Sequence, residues 1–394
     1  MFFFGSSAIK SSAALTATIP DSNHLYALDG VRGLLALWVY LGHVANAVGF
    51  HNYMLAAHAL AVDFFMILSG FLMVYTWKSN IDNKQFSLNA TLQFYVARFF
   101  RIAPLYYLLL LVCYLCLPTL SFMHASALTA VPPPWATNLI GYAPSVGWSF
   151  DNFRWLSLHL SFAFGLVPDM VSSTPLPDWS LSLEMQFYLV FPLLLLLFTR
   201  LPIIFLAVGA AALAFASPFW FGHYLAPGSI AHFGQPSLLL YRLNAFMAGM
   251  LIAYFIKRRH QFQHGWRDPQ FFYLVVCVTI CIFPLSKPVI LGFCCLALLI
   301  ARPIPFASPL LSLKWLRKLG DISYSVYLSH LLIVIPAIYW LVQLPDFMAL
   351  ATASRFIVAT LFTVPVVLLA STLLFNLIER PAIALGRRIL TNMQ

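Results

Sequence analysis

The sequence predicts an all-α membrane protein, one bundle of about ten transmembrane helices with both termini in the cytoplasm. Three observations predict it. Of 394 residues, 61% are hydrophobic and only 9% charged, where soluble domains carry roughly a quarter charged residues; mean hydropathy is +0.86. Ten apolar runs follow one another, near 31–50, 59–77, 99–117, 180–199, 201–221, 237–256, 270–286, 288–302, 322–342 and 355–378. Lysine and arginine then crowd every second connection, which orients such a bundle.

The chain opens on "MFFFGSSAIKSSAALTATIPDSNH". Its one lysine, Lys10, follows a short apolar start and no sustained hydrophobic core comes after it, so residues 1–24 read as a flexible leader and not as a signal peptide. Residues 25–385 form the membrane domain, and 386–394 a short cytoplasmic tail. Lys78, Lys84, Arg98, Arg101, Arg200, Lys257, Arg258, Arg259, Arg267, Arg302, Lys314, Arg317, Lys318, Arg380, Arg387 and Arg388 fall on one set of connections. The other set holds Arg154, Lys287 and the run-edge residues Arg242 and Arg355. The net charge of +10 is therefore a topology signal, which argues against nucleic acid and for the lipid bilayer as partner.

Between the third and fourth runs, residues 118–178 make a long external loop with "VPPPW" and "NFRWLSLHLSFAFGLVPD". The latter is aromatic but shorter than the roughly 20 residues a span needs, so it re-enters the membrane or packs on the bundle. The seventh and eighth runs meet at "PLSKP", a tight turn between two helices. All six cysteines lie in apolar runs, where thiols act as small hydrophobes. Cys113 and Cys116 match C-x-x-C with no second ligand pair, so no metal is expected.

Each run has polar exceptions. In "LDGVRGLLALWVYLGHV", Arg32 and His43 stand eleven positions apart, three helical turns, hence on one face and separated by roughly 16 Å. The second run carries Asp63 and the pair Ser69-Gly70; the small pair allows close helix packing, and Asp63 needs a partner. The third begins "ARFFRIAPLYY", with Arg98 and Arg101 on one face, either topology anchors or a fork for phosphate. The fourth opens "DWSLSLEMQFYLVFP", with Glu184 inside the apolar stretch, and Arg242 enters the sixth from the same side, so these two can pair. In "LGDISYSVYLSHLLI", Ser323, Tyr327 and His330 recur on one helical face. Glu379 and Arg380 of "NLIERPAI" stop the last run.

Together these residues describe a polar path: arginines at the cytoplasmic boundary, two histidines at mid-depth, and acidic and aromatic groups at the external mouth. The path suits a large anionic donor with a reactive arm, and coenzyme A has that shape.

The motifs "LDGVRGLLALWVYLGH", "VDFFMILSGFL", "RFFRIAPLYY", "WSLSLEMQFYLVFP", "RLNAFMAGM", "LGDISYSVYLSH" and "ERP" stand in one order over residues 25–385. The sequence so resembles the bacterial membrane acyltransferase-3 family, the O-acyltransferases of surface glycans. The resemblance implies transfer of an acyl group, usually acetyl, from cytoplasmic acyl-CoA (acetyl-CoA) to a hydroxyl of an exported carbohydrate. The acceptor is then a glycan or lipid-linked glycan, such as an exopolysaccharide or lipopolysaccharide, and the location the bacterial inner membrane. It marks Arg32 and His43 as essential and Arg98 and Arg101 as donor-binding. Some members carry an extracytoplasmic hydrolase-like domain; with the chain ending at Gln394, that part is expected from a separate acyl-accepting protein or not at all.

Histidine suits such chemistry, because its unperturbed pKa of about 6.5 lets it take a proton from a hydroxyl near neutral pH. His43 serves as that base or is itself transiently acylated; the residues alone leave both open. Asp63, Glu184, Arg242, Ser323, Tyr327 and His330 are candidates for contacting substrate or orienting His43. Two other readings compete, besides a structural or flippase-like subunit without chemistry. A proton-coupled transporter uses similar residue types, but the Arg–His motif has no counterpart in the second half, as internal repeats would give. An acyltransferase acting on a non-glycan small molecule or a lipid is the other.

Overall fold

The computed structural model describes residues 22–77, 88–131, 152–221, 237–258, 269–301 and 306–392. Most of the leader, the basic residues Lys10, Lys78, Lys84, Arg259, Arg267 and Arg302, and "VPPPW" beyond Val131 lie outside them. All regular structure among the described residues is helical. In chain order the helices are α1 (Ser22–Ala47), α2 (Tyr53–Ala56), α3 (Leu60–Thr76), α4 (Leu88–Ala130), α5 (Asn152–Leu160), α6 (Trp179–Arg200), α7 (Ile203–Phe221) and α8 (Leu243–Arg258). Then come α9 (Pro269–Ile282), α10 (Lys287–Ala301), α11 (Ala307–Leu311), α12 (Lys314–Asp321), α13 (Ser323–Val342), α14 (Pro345–Ala349), α15 (Thr352–Leu374) and α16 (Arg380–Asn392).

The expected ten spans are not there. Five helical segments are long and apolar enough to cross a bilayer: Tyr53–Thr76, Leu88–Ala130, Trp179–Phe198, Ser323–Val342 and Thr352–Asn392. Four more of the apolar runs are short helices, Ile203–Pro218, Leu243–Lys257, Pro269–Ile282 and Lys287–Ala297. At 1.5 Å per residue, a helix of about fifteen residues reaches roughly 22 Å, short of a hydrocarbon core of about 30 Å. The first run lies in the 26-residue α1, where Asp29, Arg32, His43 and Asn46 dilute it. An apolar run reports burial, in protein or in lipid, whereas membrane thickness is measured by helix length. The alternation that set both termini in the cytoplasm rested on ten crossings and falls with that count. What stands is a multi-pass, all-α membrane protein.

Two helices are far longer than the runs within them. α4 has 43 residues, roughly 64 Å, and continues through Pro118 to Ala130. Glu379 and Arg380 do not stop the last helix either. A π-helical turn, Phe375–Glu379, joins α15 to α16.

Packing places α1 and α13 side by side, with α4 and α15 against α13 and with α11 and α12 against α1. α3 lies along α8, at a contact made close by glycine. A Cβ on Gly70 would sit 2.1 Å from the Phe246 carbonyl oxygen, and one on Gly249 would sit 1.9 Å from that of Ile67. Between α5 and α6 the chain folds into a tight knot, and Phe162 holds a left-handed backbone (φ 60°) there. Its carbonyl accepts the Ser182 hydroxyl at 2.6 Å.

A buried polar chain ties that knot to α4. The Trp155 indole N–H donates to Ser173 Oγ (3.0 Å), which donates on to the Met170 carbonyl (2.9 Å). Ser173 Oγ has then spent its proton, so His159 Nε2, 3.0 Å away, donates to it. That leaves His159 Nδ1 to accept from the Tyr106 hydroxyl at 2.8 Å. Tyr106 stands 3.3 Å from Asp178 Oδ2, which also accepts from Thr174 at 3.0 Å. Burial pushes the Asp178 carboxyl up to about 7 and His159 down to about 3. A neutral Asp178 and a neutral His159 complete one continuous run of donors, which fits both shifts.

Candidate active site

One elongated cavity of about 880 Å³ gathers most of the polar residues that the sequence singles out. Its wall runs along α3 from Val62 to Thr76, roughly 21 Å of helix. At one end stand Arg32 of α1, Arg98 and Arg101 of α4, Asp321, and Arg380 and Arg387 of α16. Toward the other stand Phe65, Ser180 and Tyr327, with Glu184 and Tyr188 between.

The arginines differ in how far they are already paired. Arg101 Nη1 meets Glu379 Oε1 at 2.7 Å, and the buried Glu379 takes a second bond from the Ser325 hydroxyl at 2.9 Å. The π-helical turn is what delivers Glu379 to this place. Arg32 reaches Asp29 one turn earlier, at 3.7 Å. Arg98 lies over the rings of Phe94 and Tyr188, 5.6 and 5.8 Å to their centroids. Its buried Nε has no partner among the described residues. Arg380 and Arg387, two turns apart on α16, form no ion pair among the described residues. Sequence reasoning took these two for topology anchors; their i, i+7 spacing was the signal that they share a face.

Glu184 accepts from the Ser69 hydroxyl at 2.9 Å and from the Tyr188 hydroxyl. It does not pair with Arg242. That arginine forms an ion pair with Asp63, the partner the buried aspartate required. Neither Asp63 nor Arg242 is in the cavity wall. Ser323 is in the wall, but its hydroxyl donates to the Gly320 carbonyl at 2.7 Å. The hydroxyls of Ser180 and Tyr327 share a bond of 2.6 Å and close the cavity's inner end.

Beyond that end the rings continue. Phe65 touches Tyr327 (6.0 Å between centroids), Tyr327 touches His330 (6.4 Å), and His330 touches His43 (5.1 Å). A third histidine, His58, lies 4.7 Å from His43 between ring centroids. The two mid-depth histidines of the sequence so come together, and they bring one that the sequence gave no reason to select. His58 sits in the 3₁₀ turn Ala57–Ala59 that leads into α3, fifteen residues from His43 and across an irregular connection whose path no periodicity reveals.

The described residues contain no group of three or more His, Cys, Asp or Glu side chains arranged to hold a metal ion. The arrangement suits an elongated anion. Its charged end meets guanidinium groups, which bind phosphates bidentately, and its other end meets imidazoles able to exchange a proton. Arg98 Nε, without a partner among the described residues, and Arg380 and Arg387, without an ion pair among them, suit phosphate groups, and a volume near the top of the usual range for small-molecule sites suits a large ligand.

A family model described as an acyltransferase domain (acyltransferase-3) matches residues 25–372. The chain is 27% identical over 336 residues to the peptidoglycan O-acetyltransferase OatA of Listeria monocytogenes, with 77% of this chain and 48% of that protein covered. The chain thus spans about half the length of that relative. No solved structure matches it.

Proposed function

The chain belongs to the acyltransferase-3 family, and on that premise we propose that it moves an acyl group, acetyl first of all, from acyl-CoA to a carbohydrate hydroxyl. The site of action is the bacterial inner membrane and the acceptor an exported or surface glycan; the glycan named for the Listeria relative supports that class. One observation carries the reading. Five arginines share one elongated cavity whose opposite end abuts Tyr327, His330 and then His43.

Arg98, Arg380 and Arg387 take the donor's phosphates. Arg101, already held by Glu379, and Arg32, held by Asp29, add positive field and keep the cavity's charged end rigid. The thioester arm extends toward Tyr327. His43 removes the proton of the acceptor hydroxyl as oxygen attacks the thioester carbon. A C–O bond forms, the C–S bond breaks, and the imidazolium returns the proton to the leaving thiolate. Asp63 and Arg242 act outside this chemistry, as a paired brace in the α3–α8 region.

The experiment is acyl transfer by the purified protein in lipid nanodiscs, with labelled acetyl-CoA and hydroxyl acceptors of two classes, glycan fragments and lipid alcohols. Glycan-dependent release of free CoA with label on the glycan is expected. Label on lipid alone would move the acceptor class. Uptake of a solute with no thioester cleavage would replace the enzyme with a transporter.

A further inference from the structure

We propose that His58 is a positioning residue for His43, an uncharged acceptor that fixes which nitrogen of His43 serves as the base. The inference rests on the reading of His43 as base.

His58 Nδ1 lies 2.8 Å from the Leu55 carbonyl oxygen. A carbonyl only accepts, so Nδ1 carries the proton and the neutral ring keeps its lone pair on Nε2. His330 is built the same way: Nδ1 lies 3.0 Å from the Val326 carbonyl, and Nε2 is buried with no partner among the described residues. His43 therefore neighbours two rings whose tautomers the backbone has set, and each offers a lone pair.

The two neighbours are not equivalent. His330 is on the cavity side, in contact with Tyr327 of the cavity wall. His58, 4.7 Å from His43 between ring centroids, is absent from that wall. A neutral His43 has one N–H and one lone pair. When His58 accepts the N–H, the lone pair of His43 is left on the other ring nitrogen, available for the acceptor's proton. When His43 becomes an imidazolium, the same bond remains and holds the new cation. The ring separation of 4.7 Å and tilt of 56° leave this contact open until substrate draws it closed, as catalytic hydrogen bonds commonly do.

Gly42 supplies the space. A Cβ there would lie 2.4 Å from Cγ and Nδ1 of His58, so only glycine before His43 lets the His58 ring rest against α1. Only half-buried, His58 is not required to fill the core.

The test compares steady-state transfer and acyl-CoA binding for wild type, His58→Leu, His58→Gln and Gly42→Ala. His58→Leu fills the space without an acceptor and should lower kcat about 10- to 100-fold, less than the roughly 10²–10⁴ for loss of a base, with KM and Kd for acyl-CoA within about twofold. His58→Gln offers an oxygen near the position of Nε2 and should recover most of the turnover. Gly42→Ala should lower kcat like His58→Leu, and the two together should cost little more than either alone, as changes acting through one contact do. Full turnover in His58→Leu, a loss that appears in KM, or a His58→Gln as slow as His58→Leu would each overturn the proposal. If His58→Leu does not fold, Gly42→Ala and His58→Gln decide it. An inactive wild type overturns the acyl-transfer reading itself, whereas an active wild type with an indifferent His58→Leu overturns only this one.

Discussion

Arg98 and Arg101 stand three residues apart in the same helix, and their surroundings separate them. Arg101 spends its charge on Glu379 at 2.7 Å, while Arg98 keeps a buried nitrogen without a partner among the described residues. Arg98→Ala is therefore expected to weaken acyl-CoA binding by about tenfold or more, the cost of one charge-assisted hydrogen bond. Arg387→Ala, on an exposed helix, should weaken it less, and its effect should shrink at high salt as screening removes the contribution. Isothermal titration with acyl-CoA at two ionic strengths measures both. Unchanged affinity in Arg98→Ala would leave that residue a topology anchor. At this scale much of the site was legible. Arg32, Arg101, Glu184, Ser323 and Tyr327 stand out as polar residues in apolar runs and Arg98 at the edge of one, and all six line one cavity. Pairings were not legible, because two polar residues at similar depth are equivalent in a sequence: Arg242 chose Asp63 over Glu184. His58 was missed for the same reason, since its value is its place beside His43.

Among the helices, α3 and α8 test how glycine sets the bundle. Gly249→Ala would put a Cβ 1.9 Å from the Ile67 carbonyl oxygen, in backbone that cannot give way locally. We expect a loss of about 1–3 kcal/mol, the usual cost of overpacking, read as a lower unfolding midpoint in detergent. Gly209→Ala is the control. Nothing lies within 4 Å of its added Cβ, and removing a helical glycine should be neutral or slightly stabilising. Equal losses in the two variants would contradict the close contact. The sequence marked Ser69-Gly70 as a packing pair, but the reciprocal partner Gly249 is visible only once the helices are docked.

The segment between α5 and α6 gives a pH prediction. Asp178, raised from 3.8 to about 7, keeps a proton that the unfolded chain has lost, so its contribution is full below pH 3.8 and lost as pH rises to about 7. His159, lowered from 6.5 to about 3, stays neutral where the unfolded chain is charged, so its contribution is full above pH 6.5 and lost as pH falls toward 3. Between about pH 4 and 6.5 the two slopes cancel. Asp178→Asn should leave the histidine slope, with stability rising with pH across that window. His159→Gln should leave the opposite one. Unfolding midpoints of both variants at pH 4.5, 5.5 and 6.5 measure it, and parallel profiles would contradict the neutral pair. The sequence read this segment as too short to span and either re-entrant or packed. Trp155, His159 and Phe164 are buried at or below 1% exposure, and that packing is what raises Asp178.

For the molecule as a whole, composition determined helical class and membrane residence, and no finer count. Five segments of spanning length stand where ten runs were expected, because a run of leucine and phenylalanine is equally at home against lipid or against another helix. Helix ends decide which, and ends depend on capping and docking that hydropathy averages away. The long α4 and the join of α15 to α16 through the π-helical turn show the same limit from the other side: α4 runs on well past the apolar run within it, and a polar pair that read as a stop is carried inside a continuous helical rod. The acyltransferase family was legible where topology was not, since ordered motifs survive errors in the helix count.

The central proposal is that arginines hold the donor and His43 takes the proton. The most direct measurement is acceptor-dependent acyl transfer and acyl-CoA binding, side by side, for wild type, Arg98→Ala and His43→Ala. The account predicts that Arg98→Ala loses affinity for the donor while saturated turnover largely survives. It predicts that His43→Ala binds acyl-CoA normally and turns over about 10²–10⁴-fold more slowly. A His43→Ala protein with near-normal turnover would contradict it.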